Sequence, residues 1–445
     1  MLPWSLAAQQ QQAEVTIYNN DRALVREIRP IGVGSDAIRL ASIAETLIPE
    51  SLWIEALGGA APTWLQYNTN LVSPGSLLPQ FIGKTLTLVN NREQKPDERV
   101  EATLLSAEGR GIWRIGDQIV LNPDYDSILF PGLPAGTVLE PSIEVRFATR
   151  PAQVVLQYLA AGLDWKSDYM LSLDDNDRAN LRGLFTVHNQ TSKTFENTRL
   201  NLVAGDVQIV SSPPPRRPEP RMMEMKGRAV MSMAASVDVA STELGDYYLY
   251  ALPQSVTLLA RSQQQVPHFA ASAIAVEKEF RLENQYWLYP VSGRHKQNVA
   301  VIVRWDNTKA NQLGFALPSG VVRTFGQDEA GRSQFLGEST LKPTPENERV
   351  ELEIGRAFDI LAERRQIHFE RLGERASESE NEVEIRNRRK KESKVRIIES
   401  IGAGDWKIVS STHPYNRLDV NRVEFVVTVP ASHTLVVRYR VQARM

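Results

Sequence analysis

The sequence predicts an all-β protein made of several sandwich-like, immunoglobulin-like domains, with a small barrel inserted in the first. Three observations predict it. Short apolar runs alternate with polar residues at period two along most of the chain. Pro, Gly and Asn clusters break those runs at the spacing of tight loops. Only residues 151–162 offer a helical pattern, and there Val155, Gln157 and Leu159 fit a strand equally well.

In chain order, 15–18 reads as a first strand, Asn19-Asn20-Asp21-Arg22 as its turn and 23–28 as the returning strand. Residues 37–40 and 52–57 continue the pattern. Between 81 and 133 the spacing tightens: 84–89, 100–105, 111–115 and 118–121 are short strands, punctuated by Asn90-Asn91, Glu108-Gly109 and Gly116-Asp117. Such spacing predicts a small barrel. It is read as an insert, because 143–147 then supplies a closing sandwich strand.

Residues 171–173, 184–189 and 198–203 follow at sandwich-like intervals. The composition then breaks at Pro213-Pro214-Pro215-Arg216-Arg217-Pro218, whose prolines have no N–H to donate to a ladder. Residues 211–243 read as a flexible loop, the alternative being a Met-rich helix that docks on a partner. Strands resume at 247–252, 256–260, 277–283 and 299–305, and again at 383–385, 394–399, 406–409, 423–429 and 435–441. A strand ending in Asn before a polar turn recurs at Asn189, Asn307 and Asn387, a loose internal echo. The domains expected are 14–150 with its insert, 151–360, and 361–445.

Length and composition bound the rest. The 445 residues correspond to roughly three domains. With 23% charged and 42% hydrophobic residues, the composition is globular. A formal net charge of −2 supplies no field to steer the chain to nucleic acid or anionic lipid. The chain has no cysteine, which removes disulfides, zinc ribbons, thiolate nucleophiles and iron–sulfur clusters together. That suits an exported bacterial protein. The start, Met1-Leu2-Pro3-Trp4-Ser5-Leu6-Ala7-Ala8 running into four glutamines, reads as a signal-peptide remnant over 1–13; the competing reading is a frayed terminus. No later run approaches the ~18 apolar residues of a membrane helix, so no transmembrane segment is expected.

Several strings match a known family. They are Ile48-Pro49-Glu50-Ser51-Leu52, Trp165-Lys166-Ser167-Asp168-Tyr169, Leu202-Val203-Ala204-Gly205-Asp206-Val207 and Tyr247-Tyr248-Leu249-Tyr250. The match is densest from Asn307-Thr308-Lys309 through Leu317-Pro318, Phe335-Leu336-Gly337-Glu338 and Ala357-Phe358-Asp359, and continues through Asp405-Trp406 to Arg438-Tyr439-Arg440-Val441. The chain resembles the bacterial domain-of-unknown-function 4139 family, relatives of the mucoidy-inhibitor-like proteins. The resemblance implies a mostly β, exported envelope protein and no activity. One departure is Pro343-Thr344-Pro345, where the family pattern is His-Thr-Pro. Any chemistry that relatives perform with that histidine is closed to this chain.

The chemistry-bearing residues form no recognisable constellation. His188, His268, His295, His368, His413 and His433 lack metal-ligand spacing, and surface or turn positions are expected for them. Asp174-Asp175-Asn176-Asp177 lacks the central Gly and terminal Glu of a calcium loop and reads as a turn. Gly32-Val33-Gly34 precedes no helix and reads likewise. No Gly-x-Ser-x-Gly elbow leads into a helix. Tyr247, Tyr248 and Tyr250, and Tyr286, Trp287 and Tyr289, fit core strands better than a sugar platform. The basic run 386–391 reads as a solvated hairpin loop. Asp246, Glu338, Glu348 and Asp359 are the carboxylates available for an acid/base pair.

The leading expectation is therefore a non-catalytic binding or structural protein of the bacterial envelope. Its partner would be an envelope protein or a glycan, and no metal or cofactor is expected. The rival is a carboxylate-dependent envelope hydrolase acting on a glycan, with Glu338 and Asp359 as its catalytic pair.

Overall fold

A computed structural model describes residues 12–34, 36–68, 72–90, 98–134, 137–174, 177–205, 207–208, 241–287, 289–328 and 330–444. The expected signal remnant, up to residue 11, and the expected loop, up to residue 240, lie outside them. The regular secondary structure of the described chain is nearly all β. It forms two compact units, neither continuous in sequence. One comprises Met1–Trp165, His188–Gln208 and Ala251–Gln264; the other comprises Lys166–Val187, Ile209–Tyr250 and Gln265–Met445.

In the first unit, Gln12–Tyr18 lies between Phe195–Ala204, which runs parallel to it, and the antiparallel Arg22–Pro30. Val15 stands opposite Leu200 and Ile17 opposite Leu202, all fully buried. Gln153–Ala160 pairs with Arg22–Pro30 on one side and Trp53–Ala56 on the other. The ambiguous segment 151–162 is thus a central strand. Val154, Leu156, Tyr158 and Ala160 are wholly buried, which is period two and not 3.6.

The insert departs from a hairpin. Trp64–Asn68 pairs antiparallel with Ser142–Arg146, so that Asn68 faces Ser142 across the gap from which the insert emerges. Its five strands run in the order Ser127–Leu129, Thr85–Asn90, Glu98–Ser106, Ile112–Ile115, Gln118–Leu121. The expected barrel is not closed. The two edge strands, three and four residues long, do not pair with each other. The inner face (Leu86, Leu88, Ala102, Leu104, Trp113) is instead covered by Phe81 and its neighbours Leu77 and Leu78, a short helical cover in place of a strand–strand seam. Gly111 makes room for the core: at φ +89°, a Cβ there would lie 2.5 Å from the Trp113 indole nitrogen.

In the second unit a six-stranded sheet runs Arg349–Arg356, Ala300–Asp306, Glu277–Gln285, Ser393–Ser400, Arg422–Val429, Asn416–Arg417. Strands from both sides of residue 360 share it, so the boundary expected there cuts through one sheet. At its first end Val303, Trp305 and Leu352 pack with Tyr169, Leu181, Phe269 and Val322 of a five-stranded sheet. At the other, Phe280, Leu282, Ile397 and Phe425 pack with Val383, Ile385, Val437 and Tyr439 of another. The seam between the two halves is the parallel pair Glu277–Gln285 and Ser393–Ser400. Side chains fill both interiors.

The Asn echo has a physical basis. Asn189, Asn307 and Asn387 are all buried. Asn387 Nδ2 donates to the carbonyls of Lys391, Val429 and Pro430 at 2.9, 3.0 and 3.0 Å, while its Oδ1 accepts from the Arg389 amide. Asn189 Nδ2 donates to Lys193, Leu258 and Leu259, and its Oδ1 accepts from the Thr191 amide. Asn307 Nδ2 donates to Phe315, Thr344 and Pro345, with Gly314 donating to its Oδ1. Each side chain ties the turn after its own strand to backbone carbonyls far along the chain.

The basic run 386–391 differs from expectation. The strand before it, Ala376–Asn387, belongs to a five-stranded sheet, and the strand after it, Ser393–Ser400, to the six-stranded one. The run is a crossover between layers, not a hairpin, and Asn387 holds its base.

Candidate functional site

Two β-bulges build a groove in the second unit. Ser333–Leu341 pairs with Gly320–Gln327, but Gly337 faces Thr324 while Phe335 faces Phe325, leaving Leu336 as the extra residue. Arg349–Arg356 pairs with Ala300–Asp306 in the same way: Gly355 faces Val301, Glu353 faces Ile302, and Ile354 is extra. Bulges bend a strand and re-aim its side chains. The two bulged backbones come so close that a Cβ on Gly337 would sit 2.4 Å from the Ile354 carbonyl oxygen. Only glycine fits there.

The result is an open groove of about 420 Å³. Phe280, Val301, Ile354 and Ile360 line it, together with Leu336 and Phe358. Leu336 is 49% exposed and Phe358, in the turn after Arg356, 91% exposed. Both line the same groove, and contiguous exposed apolar surface is where partners dock. Two backbone bonds pin the turn: the Ala357 amide donates to Val299 and the Arg388 amide to Asp359, each at 2.8 Å. Lys278, Arg356 and Arg389 also line the groove, with Asp359 as its acid. The Arg389 guanidinium lies 5.0 Å from the centre of the Phe280 ring. Arg356 pairs with Glu353 at 3.1 Å, both exposed.

The sequence singled out Phe335-Leu336-Gly337-Glu338 and Ala357-Phe358-Asp359 as separate strings, and the structure brings Leu336, Ala357, Phe358 and Asp359 into this one groove. It missed Phe280 and Arg389, whose distance along the chain hides a shared location. The basic run was the available signal.

The other singled-out residues are placed as follows. Asp246, Glu338, Glu348 and Asp359 are all exposed. Glu338 pairs with Arg323 at 2.9 Å, and only Asp359 of the four lines the groove. Tyr250 and Tyr286 are core residues, Tyr247 and Tyr248 are half-buried, and Tyr289 is 62% exposed. His268 is fully buried against Phe185, Tyr250, Phe269 and Phe315, contrary to the expected surface or turn position. Among the described residues no His/Asp/Glu group has metal-binding geometry. Asp174 accepts from the Arg178 amide in a strand-connecting turn. The Pro343-Thr344-Pro345 segment is structural: Thr344 exchanges both backbone bonds with Leu317 at 2.9 Å, and Asn307 holds the Pro345 carbonyl.

Buried ionic groups lie in the interiors, and they are paired. In the first unit Glu27 accepts from Lys193 at 2.6 Å and from Arg29, while Lys193 also donates to the Ser42 carbonyl. Burial pulls the Lys193 ammonium below the usual lysine range, and Glu27 opposes that pull. In the second unit Arg364 pairs with Glu399 at 3.0 Å and stacks on Trp287 at 4.1 Å, with Asn284 donating to Glu399. Burial, aided by Glu399, pushes the neighbouring Tyr439 phenol well up. These centres clamp layers together.

No family model matches this sequence, and no curated protein matches it. No helix among the described residues is long and apolar enough to cross a membrane.

Proposed function

We propose that the chain is an exported, non-catalytic protein of the bacterial envelope, whose immunoglobulin-like sandwiches present a surface to a partner. The groove carries this reading: a β scaffold with filled interiors holds Leu336 out in water on one bulged strand and Phe358 in the turn that follows the other. Export is supported by the cysteine-free composition, by the apolar start with its small residues, and by the resemblance to the domain-of-unknown-function 4139 family. The stretch 211–243, rich in Pro and Met, is proposed as a second source of partner contacts.

The test is affinity capture from the envelope fraction with the full chain as bait, with sequencing of the mature amino terminus. The reading expects a saturable partner, weakened when 211–243 is deleted, and a mature chain that starts beyond Ala8. An uncleaved chain confined to the cytosolic fraction, with identical capture profiles before and after the deletion, refutes it.

A further inference from the structure

The geometry points to the groove between Leu336 and Phe358 as the docking site for an extended segment of a partner protein, one that carries a bulky apolar side chain flanked by carboxylates. The inference rests on the binding reading above and names its site and its partner's chemistry. Its basis is charge arranged around an apolar floor. Phe280, Val301, Ile354 and Ile360 offer nothing to a polar group, so the part that enters must be apolar. Around them stand Lys278, Arg356 and Arg389, against Asp359. Counting Glu353, which pairs with Arg356, three cations face two carboxylates here. The Arg388 amide, bonded to the Asp359 carbonyl, brings in the rest of the basic crossover, with Arg388, Lys390 and Lys391 exposed.

A chain of net charge −2 thus concentrates positive charge at the place where its Phe is most exposed. Complementary charge of that kind sets partner choice and on-rate. An extended peptide fits better than a glycan or a lipid. A glycan site calls for flat aromatic faces with polar groups between them, whereas aliphatic side chains dominate this floor. A lipid tail calls for a deeper channel than an open groove of about 420 Å³.

The experiment selects a displayed random heptapeptide library on the intact chain, in parallel with Phe358→Ser and with Lys278→Glu/Arg356→Glu. All three substituted side chains are exposed, and thermal melts confirm that the variants fold. The wild type should enrich peptides with Phe, Leu, Ile or Trp beside Asp or Glu. A synthetic copy of the consensus should bind Phe358→Ser at least roughly tenfold more weakly. The charge-reversed variant should enrich Lys and Arg flanks instead. Three outcomes overturn the inference: no enrichment, enrichment indifferent to Phe358→Ser, or Phe358-dependent binding to phosphatidylglycerol vesicles without peptide selection. Capture of one envelope partner equally by wild type and Phe358→Ser also overturns it, while leaving the binding function in place.

Discussion

Glu351 shows how a single carboxylate is set by its neighbours. Its two oxygens lie 2.6 Å from Arg281 and 2.6 Å from Arg304, and the hydrogen bond from Arg281 is the largest influence lowering its pKa from 4.5 to about 2. Because the folded value is depressed, the unfolded chain takes up the proton first as pH falls. The pairing therefore stabilises the fold fully above about 4.5 and loses its effect as pH falls toward 2. Glu351→Gln should be less stable than wild type at neutral pH, with the gap closing across that window; urea titrations at stepped pH read it directly. A gap that is constant with pH would show that the ion pair adds nothing. The side chain is 42% exposed, so screening keeps the effect modest. Arg364 and Glu399 are a different case, both essentially without solvent access. Removing one partner strands a charge in the interior, and Arg364→Met should cost about 3–5 kcal/mol. Arg364→Met/Glu399→Leu should recover much of that loss, because the desolvation penalty of both ions goes with them.

At the scale of elements, the insert makes the sharpest claim. Asn68 faces Ser142 in one antiparallel pair, and beyond them the Val72 amide donates to the Val138 carbonyl at 3.1 Å. The chain leaves and returns at one point, and the insert has its own core around Trp113. Replacing residues 69–141 with an Asn-Gly turn should leave the strand pair 64–68/142–146 and the buried strand 153–160 intact. Hydrogen exchange on the amides of 153–160 checks it: protection equal to wild type is expected, and its loss would mean that the insert is integral to the first unit. This element also marks where the sequence was readable. Its short strands and Gly/Asn turns announced themselves, since period two and turn chemistry are local properties. Closure was not readable, because whether an edge strand meets its partner depends on what else covers the core, here Phe81. The same division holds elsewhere. Strand 153–160 stayed ambiguous until neighbours on both sides buried it, and the 386–391 crossover looked like a hairpin because sheet membership is not local. Leu336 and Phe358 stood out in the sequence. Their shared groove did not, because Phe280 reaches it from a distant strand and Arg389 from the 386–391 crossover.

Across the whole molecule the three Asn clamps carry the argument. Asn189 lies in the first unit, Asn307 and Asn387 in the second, and each answers several carbonyls with one amide. In two of them the correspondence extends to the ladder. Phe195 pairs with Leu258, whose carbonyl Asn189 holds, and Ser393 pairs with Val429, whose carbonyl Asn387 holds. This is one corner device used repeatedly, and it explains why an Asn recurs where a strand hands over to a crossover. Replacing the side chain leaves buried carbonyls without donors, at about 1–3 kcal/mol per clamp. Aspartate should be no better than alanine, since a carboxylate offers only acceptors to those carbonyls. The clamps share no partner atoms, so their costs should add: Asn189→Ala and Asn387→Ala together should lose the sum of the single losses within about 0.5 kcal/mol. Urea unfolding of the two single variants and the double variant measures this. A double loss well short of the sum would mean that the corners are coupled through the fold and that the modules do not stand as independent units of stability.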